Sequence, residues 1–223
     1  MDDFAALRTK MVDSQLRTEG VTDTRVLAAF GAVPREWFVP NKLKPVAYVD
    51  NDLLIKAADG AGPGRYLMEP APLARLFQAA DVRPTDTILI IGATTGYSTA
   101  IAARLARGVA AVEFDPVLAS EATRSLNALG VENATVVTAP LADGYPRGAP
   151  YDVILIDGGV EIVPETLLEQ LGDGGRLVAI VGVGRAAQGT VYTRTGDEIG
   201  TRPVFNAGIR ALPGFEKPAA FVF

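Results

Sequence analysis

Two periodicities alternate along the chain. Phe4, Leu7, Met11, Val12 and Leu16 recur at roughly helical spacing, which predicts an amphipathic helix over residues 3–17. Val26, Leu27 and Phe30, preceded by the capping side chains Thr22 and Asp23 and closed by Val33-Pro34, predict a second helix, so residues 1 to about 50 read as a helical cap. Residues 59–64, Asp-Gly-Ala-Gly-Pro-Gly, form a turn-rich loop, and Leu73, Leu76 and Phe77 after Pro70 predict a helix that leads into the core. From there apolar runs and helical stretches alternate: strands at 88–91, 109–114, 134–138, 152–156 and 176–181, helices near 97–107, 116–129 and 163–171. That order is the pattern of a doubly wound α/β sheet. After Gly182 the character changes, and Thr190 to Arg194, a Thr195-Gly196-Asp197 turn and Arg202 to Phe205 predict an antiparallel hairpin at the edge.

Composition narrows what such a fold does. With 48% apolar content, 223 residues suffice for one α/β domain with additions: a helical cap and loop over 1–80, an α/β core over 81–182, and an antiparallel edge and tail over 183–223. Lys and Arg number 21 against 26 Asp and Glu, a formal charge of −5, and no basic stripe forms, which argues against a nucleic-acid partner. There is no Cys and no His. Disulfides, a thiol nucleophile, a Ser-His-Asp arrangement and most transition-metal sites are thereby excluded. The start Met1-Asp2-Asp3-Phe4 lacks the basic and apolar stretches of a signal peptide, and no run approaches the ~18 apolar residues of a membrane span, so a cytoplasmic protein is expected. The tail Ala220-Phe221-Val222-Phe223 is too apolar for a solvated extension, and it is expected to pack on the body or on a second subunit, as in a homodimer.

The richest segment is Ile88 to Asp115. An apolar run ends in Gly92-Ala93-Thr94-Thr95-Gly96, a helix follows, and a second apolar run closes on Glu113. Against the dinucleotide pattern G-x-G-x-x-G this turn fits only one glycine, so a dehydrogenase is a distant reading; it fits two of three glycines in the G-x-G-x-G turn of S-adenosylmethionine-binding methyltransferases. Glu113 stands near the interval at which a strand-end acid meets ribose hydroxyls, about 20 residues. Asp157-Gly158-Gly159 ends another strand at the same sheet edge, where Asp157 suits either a ligand contact or a helix cap. A reaction needing chiefly the positioning of a competent nucleophile fits a chain without His or Cys, and methyl transfer from a sulfonium to an ionised carboxylate is one.

These motifs lie among strings that closely resemble the protein-L-isoaspartate O-methyltransferases: Gln15-Leu16-Arg17, Gly20-Val21, Val26-Leu27, Ala32-Val33-Pro34-Arg35-Glu36-x-Phe38-Val39 and Ala47-Tyr48-x-Asp50, then Gly96-Tyr97-x-Thr99-Ala100, Val112-Glu113, Ala149-Pro150-Tyr151-Asp152, Gly174 to Val178 and Ile209 to Pro213. The resemblance covers nearly the whole chain. It implies a Rossmann-like seven-stranded methyltransferase fold, a mostly parallel sheet with a C-terminal antiparallel hairpin and an N-terminal helical cap. It also implies S-adenosylmethionine as cofactor, no metal, and a role in protein repair, in which the isoaspartyl carboxylate of a protein or peptide acceptor is methylated and the ester cyclises to a succinimide. On this likeness Gly92, Thr94, Gly96 and Tyr97 serve the methionine end, Glu113 the ribose, and Asp143 and Asp157 further cofactor contacts. Met68 and Glu69 hold the catalytic positions of the acceptor segment.

Four departures from the family pattern accompany the likeness. Leu67-Met68-Glu69-Pro70 stands where the family has an Ile-Ser-Gln-Pro-like segment with a hydroxyl that helps hold the acceptor. Ile90 replaces an acid two residues before the first glycine, and Thr94 replaces the middle glycine. Ala139-Pro140-Leu141 aligns with an acidic Gly-Asp-Gly-like loop, for which Asp143-Gly144 substitutes with a three-residue shift. A thioether donates no hydrogen bond to a carboxylate, and Glu69 repels one. The alternative reading is therefore a non-catalytic member acting as a ligand-sensing or protein-interaction module.

Overall fold

The computed structural model describes residues 3–59, 62–182 and 184–217. Strands β1 (Leu53–Lys56) and β2 (Arg65–Leu67) pair as a small antiparallel ribbon. The strands β3 (Thr87–Ile91), β4 (Gly108–Glu113), β5 (Ala134–Thr138), β6 (Tyr151–Val160), β7 (Leu171–Val181), β8 (Gln188–Thr195) and β9 (Glu198–Asn206) form one sheet in the order β5-β4-β3-β6-β7-β8-β9. The pairs from β5 to β7 are parallel and those of β7 with β8 and β8 with β9 antiparallel. This is the seven-stranded, mostly parallel sheet with a C-terminal hairpin that the resemblance implied. The chain leaves β3 toward β4 and β5, then returns to β6 on the other side of β3, and the carboxyl ends around that reversal are where open sheets bind ligands.

The apolar runs are continuous because both faces of the central strands are covered. Ile88 and Ile90 of β3 and Val153 and Leu155 of β6 pack in one core with the helical cap, while Leu89, Ile91, Ile154 and Ile156 pack in a second on the opposite face. The cap begins with α1 (Phe4–Met11), capped by the Asp3 carboxylate, and continues as a π-helical turn over Val12–Leu16. Next come α2 (Thr24–Ala32), capped by Asp23, and α3 (Pro70–Ala80), whose Phe77 meets Phe30 edge to face. The helices α4 (Tyr97–Leu105) and α5 (Pro116–Ala128) follow β3 and β4.

Three features differ from the pattern read along the chain. The β1–β2 ribbon flanks what reads as loop, since four- and three-residue strands around a Gly-Pro-Gly tract carry almost no periodicity. The helix expected over 163–171 is only α6 (Glu165–Leu168). It stops because β7 begins early, with Leu171 already paired to Tyr151 and Gly175 folded so tightly that a Cβ there would lie 2.8 Å from the Gly172 carbonyl. The tail at 220–223 lies outside the described residues. Among the described residues no helix is long and apolar enough to cross a membrane, and no group of three or more Asp and Glu is arranged to hold a metal.

Candidate functional site

Glu113, the last residue of β4, is fully buried, and its carboxylate is saturated. Arg65 of β2 grips it with both ends of the guanidinium: Nη1 donates to Oε1 at 2.6 Å and Nη2 to Oε2 at 2.9 Å. The backbone N–H of Thr94 donates to Oε2 at 2.8 Å and that of Asp115 to Oε1 at 3.1 Å. A carboxylate offers about four lone-pair sites, so these four donors leave none for a further hydrogen bond. Arg65 is as buried as its partner, at 2% exposure, and lies over the Phe114 ring, 5.0 Å from its centroid. A bidentate pair of this geometry is the arrangement in which Coulomb attraction best offsets desolvation.

The turn between β3 and α4 is built on left-handed backbone at three positions: Gly92 (φ 86°), Thr94 (φ 51°) and Gly96 (φ 96°). At Gly96 a Cβ would press on Ala122 of α5 at 3.2 Å, so helix packing as well as the turn requires glycine. Thr94 is β-branched and such a φ is strained for it, at a cost of about 1–3 kcal/mol. The strain is held by its N–H on Glu113 and by its hydroxyl, which donates to the Gly92 carbonyl at 3.1 Å and accepts from Arg65 at 3.3 Å. On the other side Leu212 lies against both Gly92 and Gly158, where added Cβ atoms would sit 3.1 and 2.3 Å from its side chain. The 210–212 segment is pinned there by reciprocal backbone bonds with Gly159, at 3.0 and 2.8 Å.

Met68 and Asp157 meet at this place, beside Arg65 and Leu212. The Met68 carbonyl accepts from Arg35, a fully buried cation of the cap that also bonds the Ala47 carbonyl. The Asp157 Oδ1 is buried without a hydrogen-bond partner among the described residues. Burial raises its carboxyl to about 6, against the pull of the Ser98 hydroxyl and the Arg65 and Arg35 cations. Glu69 is half-buried at the start of α3 and is raised to about 7, first by desolvation and then by repulsion from Asp52 and Asp50. Asp52, which the sequence reading passed over, ties the segments together by accepting from the N–H groups of Glu69 (3.0 Å) and Arg210 (3.2 Å).

Tyr97 and Asp143 are placed differently from the residues above. The Tyr97 ring packs edge-on against Phe30 and Phe38 with Arg35 over its face, in the core between cap and sheet. Asp143 lines a separate open recess of about 780 Å³ with Val137, Ala139, Tyr145 and Gln170. That recess lies by the 139–150 connection and adjoins the end of β4, where the Ala139 N–H donates to the Glu113 carbonyl at 3.3 Å.

Glu113, Thr94 and Asp157 thus border a cradle at one edge of the sheet, on which Arg65 and Leu212 close. The space left between Arg65, Met68, Asp157 and Leu212 is about 10 Å³. Ligand pockets run to about 300–1,000 Å³. Arg65 and Leu212, neither of which was a candidate from the sequence, narrow this crevice. Nothing along the chain marks Arg65, because its partner is 48 residues away and the intervening Gly-rich tract fixes no direction.

The family sequence model described as "Protein-L-isoaspartate(D-aspartate) O-methyltransferase" matches residues 7–205. The chain is 39% identical over 193 residues to Protein-L-isoaspartate O-methyltransferase 1 of Rhodopseudomonas palustris (strain HaA2), covering 86% of this chain and 76% of that one. It is 41% identical over 175 residues to the Protein-L-isoaspartate O-methyltransferase of Methanoculleus marisnigri, covering 78% and 77%. A solved protein-L-isoaspartate O-methyltransferase superposes with a TM-score of 0.77 at 26% identity over 93% of this chain and 66% of that one, so this chain spans just under two thirds of that longer protein. The fold also matches that of a Plasmodium falciparum protein solved in complex with S-adenosyl-L-homocysteine, with a TM-score of 0.76 at 16% identity. The match over 7–205, the seven-stranded sheet and the acid at the end of β4 agree: the chain belongs to the protein-L-isoaspartate O-methyltransferase family.

Proposed function

We propose that this protein is an S-adenosylmethionine-dependent carboxyl O-methyltransferase that acts on isoaspartyl residues of proteins, in the cytoplasm, and that the form described here is a closed one. The observation that carries the reading is Glu113, an acid at the carboxyl end of β4 next to the Gly92–Gly96 turn, within a chain whose relatives bear that activity in their names. In this reading Glu113 takes the ribose, the Gly92, Thr94 and Gly96 turn takes the methionine end, and Met68 and Glu69 border the acceptor. The nucleophile is the substrate's own carboxylate, so the chain needs no His or Cys; its share is alignment and exclusion of water. The test is incubation of the purified protein with labelled methyl donor and a matched pair of peptides, one isoaspartyl and one aspartyl, with an active relative as control. Label on the isoaspartyl peptide alone is expected. No label on either peptide, from folded protein and with a working control, overturns the assignment.

A second reading is favoured by a specific observation. The saturated Glu113 and the thioether of Met68 at the acceptor position are what a family member that binds a partner without turnover would retain. It predicts that Ile90→Asp, Thr94→Gly and Met68→Ser together, which restore the family residues, create an activity absent from the natural chain. Activity in the natural chain removes it.

A further inference from the structure

We propose that Arg65 is a tethered plug of the nucleoside half of the cradle: its guanidinium stands in for a ribose diol, and an adenosine-bearing ligand enters only by displacing it. The proposal rests on the reading of Glu113 as the ribose acid.

The substitution is one of like for like. A vicinal diol presents two O–H donors to the two oxygens of one carboxylate, and the Arg65 fork presents two N–H donors to that same pair. The guanidinium also covers the Phe114 ring, a flat face on which a purine stacks. One side chain therefore makes both contacts that an adenosine would make. Removing it without replacement leaves a buried, half-paired carboxylate, which is strongly unfavourable, so release of Arg65 and arrival of another donor pair are coupled.

The plug sits on an element that is held to the frame by side chains and not by a shared ladder. Arg65 belongs to the β1–β2 ribbon, which shares no ladder with the seven-stranded sheet, and two-stranded ribbons are marginal by themselves. When Arg65 leaves, Glu113 keeps the N–H groups of Thr94 and Asp115 and regains two acceptor directions. Another charged tie of the ribbon, Lys56 with Asp115, lies nearer the surface and is cheaper to exchange with water.

Calorimetric titration of the full chain and of Arg65→Ala with S-adenosylhomocysteine and with adenosine tests the plug. Both ligands should bind Arg65→Ala at least about tenfold tighter than wild type, a difference of about 1.4 kcal/mol. Arg65→Lys guards against a misfolded alanine variant: it keeps the cation, loses the fork and should also bind tighter than wild type. Equal affinity of wild type and whichever variants give a cooperative thermal melt, including no binding by any of them, overturns the proposal; so does failure of both variants to fold, since Arg65 would then be an obligatory part of the native state. The outcomes separate the two readings. Tighter binding without methylation leaves the plug standing and removes the repair assignment, whereas methylation by wild type with no gain in the variants does the reverse.

Discussion

Glu113 and Glu69 show how differently two carboxylates fare in one fold. Glu113 is fully enclosed yet surrounded by four donors, so its charge is compensated at every lone pair. Glu69 has Asp52 and Asp50 nearby and is half-withdrawn from water, which raises it to about 7. A carboxyl whose folded value is raised binds its proton more tightly in the folded chain, so its contribution to stability is fully present below the unfolded value near 4.5 and is lost as pH rises through about 7. Asp157, raised to about 6, acts in the same direction. Thermal melts between pH 4.5 and 8 should therefore show stability falling as pH rises, and Glu69→Gln should flatten part of that slope. An unchanged slope in the variant would mean that Glu69 is not held in this environment.

The elements that bear the site are held by their ends. Pro116 at the first position of α5 and the Asp115 carboxylate, accepting from the N–H groups of Val117 (2.9 Å) and Leu118 (3.3 Å), fix where that helix begins. The same carboxylate pairs with Lys56 of β1, so one residue serves both a helix start and the ribbon. Asp115→Ala should cost about 1–2 kcal/mol in chemical unfolding, from the lost cap. Lys56→Ala should cost less, because Asp115 retains both backbone donors. An equal loss in the two variants would locate the effect in the ion pair and not in the cap.

Across the whole molecule, order is graded. β3 and β6 are central, parallel and buried on both faces, while β9 is an edge strand, largely exposed and carrying Pro203 where a central strand could not. The ribbon is joined to the body by the buried side chains of Leu53, Leu67 and Arg65 more than by backbone pairing. Hydrogen exchange should find the β3 and β6 amides opening only with global unfolding and those of β1 and β2 opening locally and faster. Equal protection in both sets would make the ribbon an inseparable part of the core and weaken the case for withdrawal of Arg65.

Much of this was legible in the chain. The apolar runs at 88–91 and 152–156 became β3 and β6 because a strand buried on both faces must be apolar at every position, and those at 109–114 and 134–138 became β4 and the edge strand β5; such runs are local signals. The caps Asp23 and Asp115 and the glycines at 92 and 96 were legible for the same reason: each acts on backbone within a few residues. The β1–β2 ribbon, the early start of β7 and above all the Arg65 pairing were not. Those depend on residues distant in sequence arriving at one point, Arg65 on Glu113 and Leu212 on Gly92 and Gly158. The sequence by itself determined that an acid would stand at the end of β4 beside a glycine-rich turn. Only the tertiary structure decided that Arg65 closes on that acid and Leu212 on that turn, because both are brought there by chain packing and not by spacing along the chain.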